Sequence, residues 1–187
     1  MANTVSLATD YLIIGAGALG MGFLDELINN SSDLRAVIVD KRDKPGGHWN
    51  DAYSFVRLHQ PAVTYGLNSR TLGVGGADLA SKSQILSHFE LGLADLLATG
   101  RVTFLSQCQY VGDGRVKSLL DEDLQYEVKY SKKIVDATHC ETHVPATSKP
   151  NFRVEEDVKF VPINGWWYEG LHVLTLMFRL VLREREV

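Results

Sequence analysis

The residues of this chain best suited to chemistry are three glycines and one acid: Gly15-x-Gly17-x-x-Gly20, with Asp40 twenty residues after the last glycine. At this spacing each glycine has a mechanical task. Gly15 lets a strand turn sharply, Gly17 removes a side chain where a diphosphate would meet the backbone, and Gly20 lets a helix pack close to the strand. A helix opening inside the motif would present free N–H groups and a partial positive charge to phosphate oxygens. An acid closing the next strand can accept hydrogen bonds from a ribose hydroxyl, and it repels a 2′-phosphate. The expected ligand is a dinucleotide, FAD or NAD rather than NADP.

The elements that must position these residues are legible around them. Residues 11–14 form a short apolar run closed by glycine, which predicts a buried strand. Residues 18–30 place Leu24, Leu27 and Ile28 at helical spacing and stop at "NNSSD". Residues 34–40, "LRAVIVD", read as a second strand, so the unit is βαβ and its strands are parallel. A long segment rich in turn residues and aromatics follows, and its Trp49, Tyr53, Phe55 and Tyr65 argue for order and function. Further on, residues 79–98 predict a helix with Ile85, Phe89, Leu93 and Leu96 or Leu97 on one face. "RVTFLSQ" predicts a strand, and residues 107–120 predict a hairpin turning at Gly112-Asp113-Gly114. "LQYEVKY" and "KKIVDAT" predict two further strands, the last ending at Thr138.

Composition narrows the function classes. The chain has 187 residues, a net charge of -4 and 45% apolar residues. It is long enough for a real core and lacks the basic bias of a nucleic-acid binder. Cys108 and Cys140 make no disulfide framework and point to a reducing compartment. The N-terminus has no positive region ahead of its apolar run, and the run at 171–182 is short and broken by Arg179. The expectation is a cytoplasmic protein with no membrane span and no nucleic-acid partner.

The segment after Asp40 separates the candidate ligands. "KPGGHWN" sets two glycines and an aromatic where a simple NAD domain continues into its next strand. "GAGALG", "VIVDKRDKPGGHWN", "VRLHQP" and "VDAT", in that order, resemble the FAD-binding half of flavin-dependent, monooxygenase-like oxidoreductases, relatives of the flavin-containing and Baeyer–Villiger monooxygenases. The resemblance runs from residue 8 to about 164. It implies a Rossmann-like α/β fold with a parallel sheet and a small antiparallel hairpin insertion, and FAD as cofactor. It further implies that Gly15, Ala16, Gly17, Ala18, Leu19 and Gly20 hold the diphosphate and that Asp40 and Lys41 lie at the adenosine ribose. Gly47, His48 and Trp49 would line the flavin end, and Arg57 and Gln60 would contact the flavin or its phosphates. Tyr110 would offer backbone groups to adenine, and Ala137 and Thr138 would pass close to the cofactor. His139 stands where the family's last segment has glycine.

The family also carries a second glycine motif for NAD(P)H. Gly73-Val74-Gly75-Gly76 lacks the third glycine at the right place and has no apolar strand before it, and Gly112-x-Gly114 reads as a hairpin turn. The expected organisation is therefore an FAD-binding domain over 1–164 and an atypical, helical tail over 165–187 that could dock a protein partner. NAD(P)H would act only if a second domain were supplied. A non-catalytic nucleotide-binding module is the competing reading. A small NAD-dependent dehydrogenase is disfavoured, because no Tyr-x-x-x-Lys pair is present.

Remaining constellations carry less. His139, Cys140, Glu141 and His143 cluster, but Pro145 breaks the helix that an i, i+4 histidine pair needs, so no metal site is expected. His48 and His59 sit in the cofactor-side segment, where either could bond flavin or exchange a proton. Catalytic residues and substrate stay unassigned.

Overall fold

A computed structural model describes residues 3–139, 147–158 and 160–162. The proposed tail over 165–187 lies outside the described residues, as do Cys140, Glu141 and His143. Six strands, β1 (Asn3–Ile14), β2 (Ala36–Val39), β3 (Val102–Leu105), β4 (Cys108–Gly112), β5 (Arg115–Ser118) and β6 (Leu124–Asp136), form one sheet in the order β3-β2-β1-β6-β5-β4. β1 pairs in parallel with β2 and β6, and β2 with β3, while β4, β5 and β6 run antiparallel. Among the described residues two α-helices, α1 (Ala18–Asn29) and α2 (Lys82–Ala98), pack on the sheet. This is a Rossmann-like α/β domain.

Side chains alternate across a strand, so neighbours on β1 and β2 feed two cores. Ile13 and Ile38 join Met21, Leu24, Ile85 and Phe89 under the helices. Leu12, Val37 and Val39 meet Leu105, Cys108, Val116 and Val128 on the other side. Both faces of β2 are covered, which is why "AVIV" is apolar throughout.

Two strands differ from expectation. β1 begins at Asn3 rather than Tyr11, and β6 is one strand where two were expected. The extra half of β1 is mostly exposed and is defined by pairing with Leu124–Tyr130, a partner remote in sequence. The register shifts between Thr9 and Tyr11. There the Asp10 carboxylate accepts hydrogen bonds from Ser131 Oγ at 2.7 Å and from the Arg35 amide at 3.0 Å. These two bonds, Ser131 foremost, hold the Asp10 carboxyl below its ordinary range. One irregularity thus shifts the register of the pair without ending either strand.

α2 starts after Ser81 rather than at Leu79. Ser81 and Gln84 form a reciprocal capping box, the Ser81 amide donating to Gln84 Oε1 at 2.8 Å. The hairpin turns at the expected place, and Asp113 and Gly114 both have positive φ, as a tight two-residue turn requires. The long segment between β2 and α2 is pinned by buried Trp49, Leu58, Ala62, Leu67 and Leu72. A buried carboxylate, Asp25 of α1, also holds it through the Ser69 amide at 3.0 Å.

Candidate dinucleotide-binding site

The parallel strands β1, β2 and β6 end at Ile14, Val39 and Asp136, and β1 has a parallel neighbour on each side. A crevice at the carboxyl ends of strands, where the connections diverge, is the usual ligand position in open α/β sheets. Gly15 leaves β1 with φ +95° and donates its amide to Val39 O at 2.8 Å. Ala137, just past β6, donates to Ile14 O at 2.9 Å. The strand ends are therefore fixed to one another before any side chain contributes.

The motif glycines differ in why they are glycine. A methyl group at Gly20 would lie 1.8 Å from the Gly15 carbonyl oxygen, so helix and strand could not approach as they do. Gly15 needs its left-handed backbone. Gly17 needs neither. Its φ is -75°, open to any residue, and an added methyl would meet only Gly47 Cα, at an ordinary 3.6 Å. Gly17 caps α1 with no side-chain hydrogen bond, and no acid stands in the first turn. The first intrahelical bond runs from the Met21 amide to Gly17 O, so the amides of Ala18, Leu19 and Gly20 precede it. Neutral, uncapped and free of side-chain bulk, this mouth suits an anion.

Asp40 is buried and serves the turn itself. Its Oδ2 accepts the Ala16 amide at 2.7 Å and its Oδ1 accepts the Arg42 amide at 2.8 Å. Each oxygen retains acceptor capacity for a ribose hydroxyl. Lys41 beside it is exposed. Tyr110 lies on β4 in the second core, linked to this side by the Cys108 amide, which donates to Asp40 O at 2.9 Å. The Cys108 thiol is buried, and burial pushes its pKa up, away from thiolate chemistry.

The second glycine pair closes over the first motif. The Gly46 amide donates to Ala16 O at 2.8 Å, and a methyl at Gly47 would sit 2.9 Å from Gly17 Cα. Residues Gly47–Asn50 make a single 3-10 turn. α2 holds this turn with side chains one helical turn apart. Lys82 Nζ donates to Asn50 O at 2.9 Å and Ala52 O at 2.8 Å, Leu86 packs under Gly46, and Glu90 pairs with Lys44 at 3.5 Å. Arg42, two residues beyond Asp40, donates through Nε and Nη2 to Asp51, tying the end of β2 to the end of this turn.

Trp49 is sunk in the core and donates its indole N–H to Tyr65 Oη at 2.8 Å. It thus packs the turn from beneath. His48, half-buried and stacked on Trp49 with ring centroids 5.5 Å apart, has surface to present. Burial, with Arg42 adding and Asp51 opposing, pushes the His48 imidazole below its ordinary pKa, so it is neutral near pH 7. Burial raises the Tyr65 phenol.

The structure brings together Gly15, Ala16, Gly17, Gly20, Asp40, Gly47, Ala137 and Thr138. Thr138 bonds Asp136 through its amide and hydroxyl, at 2.9 and 2.6 Å, and these bonds lower the Asp136 carboxyl. Arg57 is exposed and donates to Leu79 O at 3.0 Å, and Gln60 and His59 are also exposed. None of these three has a described contact with the glycine motif. Lys82 and Asp51 have no counterpart in the sequence reading, and Asp136 enters it only inside "VDAT", with no role of its own. Only Asp136 had a local signal, an acid two residues before threonine. Among the described residues no group of three His, Cys, Asp or Glu is placed to hold a metal ion, and no helix is long and apolar enough to cross a membrane.

No family model matches the sequence. Uncharacterized proteins of Mycobacterium tuberculosis and Mycobacterium bovis are 42% identical over 170 residues, a match covering 85% of this chain. The chain spans 31% of the length of those relatives. A flavin-containing monooxygenase from Stenotrophomonas maltophilia superposes with a TM-score of 0.53 at 19% identity, over 71% of this chain and 38% of that one. A bacillithiol disulfide reductase from Staphylococcus aureus gives 0.53 at 11%, over 70% and 38%. These likenesses establish the fold: a Rossmann-like domain of the kind that both enzymes contain.

Proposed function

We propose that this chain forms the FAD-binding part of a flavin-dependent oxidoreductase of monooxygenase type. The observation that carries the reading is Gly17, whose missing side chain neither backbone conformation nor protein packing requires, at an uncapped helix mouth. In this reading the amides of Ala18, Leu19 and Gly20 hold the diphosphate, Asp40 takes the adenosine ribose, and the Gly46–Gly47 turn covers the flavin side. Tyr110, Ala137 and Thr138 flank the cofactor, and Lys41, Arg57 and Gln60 are its outer candidates. When bound, FAD supplies electron transfer between a nicotinamide and a substrate. The residues here bind and orient it, and neutral His48 is the candidate to hold or move a proton beside it. FAD is favoured over NAD by the glycine pair and by the resemblance to the flavin-containing and Baeyer–Villiger monooxygenases.

Titration with FAD, followed by flavin fluorescence quenching, tests the proposal. The parent should bind, and Gly17→Ala should keep its fold while losing roughly tenfold or more in affinity. A parent that takes up no FAD overturns the reading. NAD(P)H oxidation by this chain alone should be negligible, because no second glycine motif supplies a nicotinamide site; robust turnover would show that the chain provides one.

A further inference from the structure

A second candidate site lies on another face of α2. The row of Lys82, Leu86 and Glu90 grips the glycine turn, whereas Ser83, Ser87 and Leu91, about 100° round the helix, face a cleft of about 350 Å³. Its opposite wall is the segment from Arg70 to Gly73. The volume is within the range of small-molecule pockets.

The walls are fixed by close packing. A methyl at Gly92 would strike Leu67 at 2.2 Å, and one at Gly66 would strike His88 Nε2 at 2.4 Å. His88 is 5% exposed, and its Nε2 accepts the Leu67 amide at 2.9 Å. The neutral ring therefore carries its proton on Nδ1, its remaining donor. Arg70 gives Nη2 to Asp95, but its buried Nε has no partner among the described residues. The hydroxyls of Thr71 and Ser87 add further donors, and no carboxylate lines the cleft. Leu72 and Leu91 supply apolar wall.

Hydroxyl and imidazole donors with an Asp95-paired guanidinium at the edge of an apolar wall suit a small anionic head on a short hydrocarbon. We infer that this cleft binds a small organic carboxylate, its oxygens toward Arg70, Thr71 and Ser87 and its hydrocarbon against Leu72 and Leu91. The site is separate from the dinucleotide crevice and does not depend on FAD binding.

The test is a titration of isotope-labelled protein with butyrate, butylammonium and inorganic phosphate, followed by amide chemical shifts. Butyrate should move the resonances of Thr71, Ser87 and His88, and butylammonium should not. Ser87→Asp, at an exposed position, and Arg70→Met should each weaken butyrate by roughly tenfold or more. The assignment is overturned if butyrate leaves those resonances in place or if butylammonium binds equally well. Phosphate binding more tightly than butyrate, or a folded Ser87→Asp variant that binds butyrate like the parent, also overturns it.

Discussion

The two glycine segments that meet at Gly17 and Gly47 are built in different ways. The first, Gly15–Gly20, is held by its own neighbourhood: β1 leads in, α1 leads out, and Gly20 packs on the carbonyl of Gly15. The second, Gly46–Gly47, opens only a single 3-10 turn and takes its place from α2, through Lys82 and Leu86. A local motif therefore shapes the open helix mouth, and a tertiary clamp holds the turn over it. The first should fail abruptly when its packing is broken, and the second should loosen by degrees.

Gly20→Ala should break the first segment outright. Its methyl has no room against the Gly15 carbonyl, and overpacking of this kind costs about 1–3 kcal/mol or more. Thermal unfolding should show a large drop in midpoint or no folded protein. Gly17→Asp should leave the midpoint nearly unchanged yet remove FAD binding, because it sets a negative charge at the helix mouth. If Gly17→Asp and Gly20→Ala fell together in stability, Gly17 would be a structural glycine and the contrast would vanish.

The clamp should respond less. Lys82→Met removes two charge-assisted hydrogen bonds of a part-buried side chain and should weaken FAD several-fold in fluorescence titration. Arginine at 82 should recover part of the loss. An unchanged FAD affinity in Lys82→Met would mean that the turn holds itself.

The pH dependence should sharpen the role of α2. Burial foremost, then Arg70, pushes the His88 imidazole below its ordinary 6.5, with Asp25 opposing. Its neutral form is the one that accepts the Leu67 amide. The unfolded chain takes up the proton first, so stability is complete above 6.5 and falls as pH drops through that value. His48, shifted in the same direction, adds to the slope. Melting followed from pH 8 to 5.5 should show the decline, and His88→Asn should flatten it. Glu90→Ala should do least, within about 0.5 kcal/mol, since its pair with Lys44 is exposed on both sides.

Most of the fold could be read in order along the chain. The βαβ unit, α2 with its buried Ile85, Phe89, Leu93 and Leu96, and the hairpin at Gly112–Gly114 all follow from short-range patterns. Element ends were less legible. Asn3–Asp10 shows little burial and becomes a strand only by pairing with β6. Leu79 and Ala80 precede the helix because the Ser81 capping box sets its start. Trp49 is legible as an aromatic beside the glycine pair, but its burial and its bond to Tyr65 are set by the tertiary packing.

The amino-acid sequence by itself determined the glycine motif, the acid that follows it and the elements on either side. These depend on steric freedom and on patterns within one stretch of about thirty residues, which the segment carries with it. Tertiary structure alone decided which glycine the fold can spare, that Asp40 first serves the Ala16 amide, and that Lys82 clamps a turn more than thirty residues upstream. Those outcomes depend on where remote backbone atoms meet once two cores have closed on one sheet, and no local pattern encodes that distance.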